Sequence, residues 1–197
     1  MLVLDGKRSA KRVAGHLQLL LDEPARGWRV EDGVVRFFVT SQGRTAEEWL
    51  RFFESKGIAV ADDAKRILLS SQFRVTSGVT TEVALLRPTI LEKRTLDNIK
   101  KQGKKRKFVS PSAEILCLIR EKFSDDDIRE MDFWSIVGLH EPMRGYMGQP
   151  SVLLIDLDHD FGTCLTPESC DPRIEYGPNV GFAFVVPRER EVHVFIG

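Results

Sequence analysis

The chain has 197 residues, enough to bury a substantial core as one domain or as two small ones. Hydrophobic residues make up 42% and charged residues 29%, which excludes a chain disordered throughout. Lys plus Arg equals Asp plus Glu at 29 each, so overall charge attracts neither nucleic acid nor membrane, and electrostatic binding must come from a local cluster.

The predicted elements begin with a helix over residues 7–21, where Val13, Leu17, Leu20 and Leu21 recur at helical spacing. Lys7, Arg8, Lys11 and Arg12 occupy another arc of that helix. "VVRFFVT" (34–40) alternates as a strand does. Thr45 and Glu48 then form a capping box, opening a helix that buries Trp49, Leu50 and Phe53 and ends at Gly57. "DDAKRILL" reads as a second short helix with its acids near the positive end of the dipole. "QFRVTSGVTTEVALL" reads as a hairpin turning at Ser77-Gly78. Two helices followed by a hairpin have the order of a winged helix, although only Lys65 and Arg66 are there to enter a groove.

Residues 92–107 are strongly basic, and Ser110-Pro111 signals the next helix start, with Ile115, Leu118 and Ile119 as its apolar stripe. Ser124 and Asp127 repeat the capping pattern before Ile128 and Met131. "FWSIVGLH", "SVLLIDLDH", "VGFAFVV" and "EVHVFIG" are strand-like runs whose connections are too short for a crossover helix, which favours antiparallel pairing. Between them, "GTCLTPESCDPRIEYGPN" reads as a long loop. The fold expected is α+β, an N-terminal mixed helix and strand region followed by a largely antiparallel C-terminal sheet. It forms one domain over 1–197, or divides into 1–109 and 110–197.

Three cysteines, Cys117, Cys164 and Cys170, make no disulfide framework and no paired metal motif, and the N-terminus lacks a signal-peptide core. No apolar run is long enough to span a bilayer. The chain is therefore expected in the cytoplasm, with no membrane contact.

Two stretches carry candidate chemistry. Lys100, Lys101, Lys104, Lys105, Arg106 and Lys107 form a dense cationic run, with Lys93 and Arg94 just before it. Such density suits a phosphate backbone, because each neutralised phosphate releases condensed counterions. The run contains no interleaved aromatics for stacking on bases, so a solvated connector is the competing reading. The second stretch is "LLIDLDHDFG", in which Asp156, Asp158 and Asp160 share one strand face and His159 lies on the other. Carboxylates two residues apart on a strand lie roughly 6–7 Å apart at the backbone and can converge on one hard cation, Mg²⁺ or Mn²⁺. His140 and Glu141 would supply a further ligand or a general base for hydrolysis. A Zn²⁺ site of His159, Cys164 and Cys170 matches no established spacing. The competing reading makes the aspartates the wet end of an antiparallel strand.

The sequence thus points to a small soluble binding protein that meets nucleic acid, or another protein, through its basic segment and requires no cofactor. The alternative is a metal-dependent hydrolase built on the Asp/His cluster. Oligomeric state is left open.

Overall fold

The computed structural model describes residues 27–144, 148–157 and 162–187. The expected N-terminal helix, the strand "EVHVFIG", and Asp158, His159 and Asp160 lie outside the described residues.

Nine strands form one sheet: β1 (Arg29–Glu31), β2 (Val34–Gln42), β3 (Ala59–Val60), β4 (Ser77–Leu86), β5 (Ser135–Gly138), β6 (Met143–Arg144), β7 (Pro150–Asp156), β8 (Cys164–Ser169) and β9 (Val180–Val185). Their lateral order is β1-β2-β4-β9-β5-β7-β8-β3, with β6 also pairing with β7. Strands from before and after residue 109 therefore lie side by side, joined where β4 pairs with β9.

The fold is α+β, but its sheet is mixed rather than largely antiparallel, because β5 pairs parallel with β9 and β3 parallel with β8. The parallel pair arises from the long C-terminal loop. That loop contains β8, which runs antiparallel to β7, while β7 runs antiparallel to β5. β8 and β9 consequently point the same way, and residues 170–179 must return from one end of the sheet to the other. No helix is needed for this crossover; Tyr176 lies buried over the sheet and meets Phe182 edge-on at 5.0 Å.

Helices α1 (Ala46–Ser55), α2 (Asp62–Leu68), α4 (Glu114–Lys122) and α5 (Asp125–Glu130) cover one face, and α3 (Leu96–Lys105) lies on the other. Strand parity sets the division: Val35, Phe37 and Val39 of β2 join the larger core with Trp49, Phe53, Ile67 and Leu116, while Val34 joins Leu96, Ile99 and Phe182. Both capping boxes form as expected. The Thr45 hydroxyl accepts from the Glu48 amide and the Glu48 carboxylate accepts from the Thr45 amide; Ser124 and Asp127 do the same for α5.

Two local expectations fail for identifiable reasons. Gly78 does take a positive φ, of 68°, but it makes a bulge instead of a hairpin turn. The register between β2 and β4 slips between Thr40↔Thr80 and Gln42↔Ser77, and β4 is one unbroken strand paired to β2. The winged-helix order disappears with that hairpin. Helix α4 begins at Glu114, not beside Ser110-Pro111, because Val109 exchanges two backbone hydrogen bonds of 2.9 Å with Val185 and holds the chain extended.

Among the described residues no helix is long and apolar enough to cross a membrane.

Candidate nucleic-acid interface

Most of the basic run lies in an amphipathic helix, with Arg106 as its C-cap and Lys107 just beyond it. Leu96, Ile99 and Gly103 face the sheet and are buried, as the spacing i, i+3, i+7 requires. Gly103 allows this close approach: a Cβ there would lie 2.3 Å from the Phe184 ring. Both ends are tied down. Before the helix, the Tyr176 amide donates to the Arg94 carbonyl at 3.0 Å, and Arg94 Nε donates to the Tyr176 carbonyl at 2.8 Å. After it, Lys107 adopts a positive φ of 60°, the Phe108 amide donates back to the Gly103 carbonyl, and Val109 enters the bridge to Val185.

With the apolar side fixed, the cations have one direction left. Lys100, Lys101, Lys104, Lys105 and Lys107 are exposed and Arg106 is half-exposed. Among the described residues these lysines make no ion pair, unlike Lys65 of α2, which meets Asp62 at 2.9 Å. Arg106 Nη2 reaches the Asp32 carbonyl at 3.4 Å, a long contact with the β1–β2 turn. Lys104 and Lys105 sit in the last turn, where the helix dipole favours positive charge. Asp97 is the acid of this helix and lies in its first turn, about two turns from Lys104. The outcome is a cationic surface on the side of α3 that faces away from its buried residues.

The residues suggested for metal chemistry are differently placed. His140 is buried, at 3% exposure. Its Nε2 lies 2.9 Å from the Leu153 amide, which donates to it, and Nδ1 lies 2.8 Å from the Glu141 carbonyl. An accepting Nε2 leaves Nδ1 as the protonated nitrogen, so both ring nitrogens are engaged in joining neighbouring segments of the fold. Burial pushes the His140 pKa below its ordinary value and favours this neutral ring. Neither nitrogen is left for a metal or for a substrate proton. Glu141 is exposed and contributes its backbone carbonyl to this arrangement.

Asp156 is half-buried at the end of β7, opposite Ser135 and Cys164. The described part of β7 is packed on both faces, while Asp158 and Asp160 of the expected wet end lie outside the described residues. Leu153 and Ile155 enter the larger core, while Val152 enters the second. Among the described residues no group of three or more His, Cys, Asp or Glu side chains is placed to hold a metal ion. Cys117 and Cys164 are buried thiols and Cys170 is a half-buried one.

Several polar contacts have no signal in the local sequence, because their partners are far apart along the chain. Arg29 and Arg36 share Glu31 and Glu82 across β1, β2 and β4, with Arg29 Nη2 2.7 Å from Glu82. Glu114, at 1% exposure, accepts from the Thr76 amide and hydroxyl, and burial raises its pKa. Glu168 accepts from the Tyr176 hydroxyl at 3.4 Å; burial raises the pKa of both groups. A cleft of about 600 Å³ lies beside α1 and α5. Its cations Lys56, Arg120 and Lys122 face Glu121, Asp125, Asp126 and Asp127; Arg120 is ion-paired with Asp125, and Asp127 is engaged in the Ser124 capping box.

Comparison with family models, with curated proteins and with solved structures returned no match. The function therefore rests on the residues themselves.

Proposed function

We propose that this protein binds nucleic acid through the outward face of α3, using Lys100, Lys101, Lys104, Lys105, Arg106 and Lys107 to neutralise backbone phosphates. The observation that carries this reading is the display of exposed lysines, which make no ion pair among the described residues, on and just after a helix anchored beneath and at both ends. A solvated connector would need no such anchoring. An ordered array also forfeits less side-chain and backbone freedom on binding than a mobile basic tail does. The overall charge balance fits the same reading, because attraction is confined to one face and does not make the whole surface adhesive. Three unpaired thiols are consistent with a reducing cytoplasm.

Fluorescence anisotropy with labelled oligonucleotides at low salt tests this. The expected result is binding by the natural chain and its loss in a variant carrying Lys104→Gln, Lys105→Gln, Arg106→Gln and Lys107→Gln together. These positions are exposed or half-exposed, so the variant should retain its melting temperature within the small range typical of surface substitutions. Equal binding by the two proteins would remove α3 as the interface.

A further inference from the structure

We infer that the nucleic acid held by α3 is a duplex, bound by its phosphates from outside the grooves and without regard to base sequence. This rests on the reading of α3 as the phosphate-binding surface and adds the class of partner and the mode of contact.

With 3.6 residues to the turn, the side of α3 opposite Leu96, Ile99 and Gly103 belongs to Lys101 and Lys105. Lys100 and Lys104 follow on one flank, and Asn98 and Gln102 occupy the other. The cations therefore cover the crest of the helix and a single flank. A helix seated in the major groove has a phosphate backbone on each side of it, and two cationic flanks would meet them. Here the second flank is uncharged and half-buried. Asparagine and glutamine are the side chains that pair with adenine, but the Asn98 amide already donates to the Lys93 carbonyl at 3.0 Å. The start of the helix is bordered by the segment returning from β8: Thr95 bridges to Glu175, and Arg94 is bonded to Tyr176. The free cations of the crest thus follow one another at the other end, through Lys101, Lys104, Lys105 and Lys107.

The residue types agree with this placement. A lysine ammonium is a compact point charge, without the planar fork by which arginine fits its partners. Arg106, the arginine of the run, turns Nη2 towards the Asp32 carbonyl. Phe108, the ring next to the lysines, is buried in the second core, so contact here draws its energy from charge and not from stacking. Charge alone favours the denser polyanion. A duplex carries one phosphate charge per about 1.7 Å of its axis, twice the density of either strand within it. Each phosphate neutralised also releases more counterion from a duplex, about 0.9 against about 0.7 for a single strand.

The test measures anisotropy at one low salt concentration with three labelled probes of equal length: an A·T-rich DNA duplex, a G·C-rich DNA duplex and oligodeoxythymidine. The proteins are the natural chain and Gln102→Ala, whose melting curves establish that both are folded. The two duplexes should bind alike to within about threefold, and each more tightly than the single strand. Gln102→Ala should bind all three probes as the natural chain does, because the uncharged flank is not in contact. Three results would overturn the inference and leave the α3 interface standing. They are tighter binding of the single strand, a preference of about tenfold or more between the duplexes, which is the discrimination that a base contact supplies, and a similar loss of duplex affinity in Gln102→Ala. Absence of binding to all three probes would overturn both readings.

Discussion

The outward face of α3 and the stretch from His140 to Asp156 are two places where charged or titratable residues cluster in the sequence, and the fold treats them differently, placing His140 against Leu153 in the middle of β7 and Asp156 at its end opposite Ser135. On α3, Leu96, Ile99 and Gly103 satisfy the core, and the exposed lysines make no ion pair among the described residues. At His140 both ring nitrogens already bond to backbone, and β7 is packed on both faces. A dense cluster therefore indicates function only when the fold leaves its polar atoms unoccupied. Whether they are unoccupied depends on contacts that local sequence does not record.

That contrast can be broken by substitution, beginning where the effect should be largest. Ile99→Ala removes a fully buried side chain from beneath the basic helix and should destabilise the protein by about 2–5 kcal/mol. Because it loosens the support of α3, nucleic-acid affinity should also fall at temperatures where the protein is still folded. Chemical denaturation and anisotropy on the same preparation check the two effects together. Affinity unchanged despite lost stability would mean that α3 needs no rigid anchoring.

His140→Ala should do the reverse. It leaves the Leu153 amide without its acceptor at a cost of about 1–3 kcal/mol, visible as a lowered melting temperature, with oligonucleotide affinity unchanged. The same residue gives a pH signature. Its folded pKa lies below the ordinary 6.5, so the unfolded chain takes up the proton first as pH falls. Stability from this site is fully present above 6.5 and declines as pH drops through 6.5 towards the folded value. The stability difference between the natural chain and His140→Ala should accordingly narrow on acidification. Glu114 works at the other end of the window. Its folded pKa is raised above 4.5, so the folded state holds its proton longer and stability falls as pH rises from 4.5 to the folded value. Glu114→Gln should gain on the natural chain over that interval, as denaturation at a series of pH values would register.

The smallest effect expected is that of metal. With His140 occupied, millimolar Mg²⁺ or Mn²⁺ should leave the melting temperature within experimental scatter. A clear rise abolished by Asp156→Asn would establish the acidic strand as a metal site.

Local rules carried much of the fold. The Thr45 and Ser124 boxes are legible because capping is decided within four residues, and β2 because alternation reports burial directly. The misreadings share a different cause. Ser77-Gly78 has the chemistry of a turn, and only the pairing of β4 with β2 decides that it forms a bulge. Val109 bridges to Val185, far along the chain, and this partner delays α4. The basic residues of α3 were readable as a cluster, but which of them meet an acid was not, since that depends on segments far along the chain, as when Thr95 bridges to Glu175.

The most direct test of the central claim is the salt dependence of oligonucleotide binding in the natural chain and in the variant carrying Lys104→Gln, Lys105→Gln, Arg106→Gln and Lys107→Gln. If α3 neutralises phosphates, the logarithm of the association constant falls linearly with the logarithm of salt concentration. The variant's slope should be shallower by roughly 0.7 for each single-strand phosphate contact removed. Identical slopes for the two proteins, or no binding by the natural chain at low salt, would contradict the account.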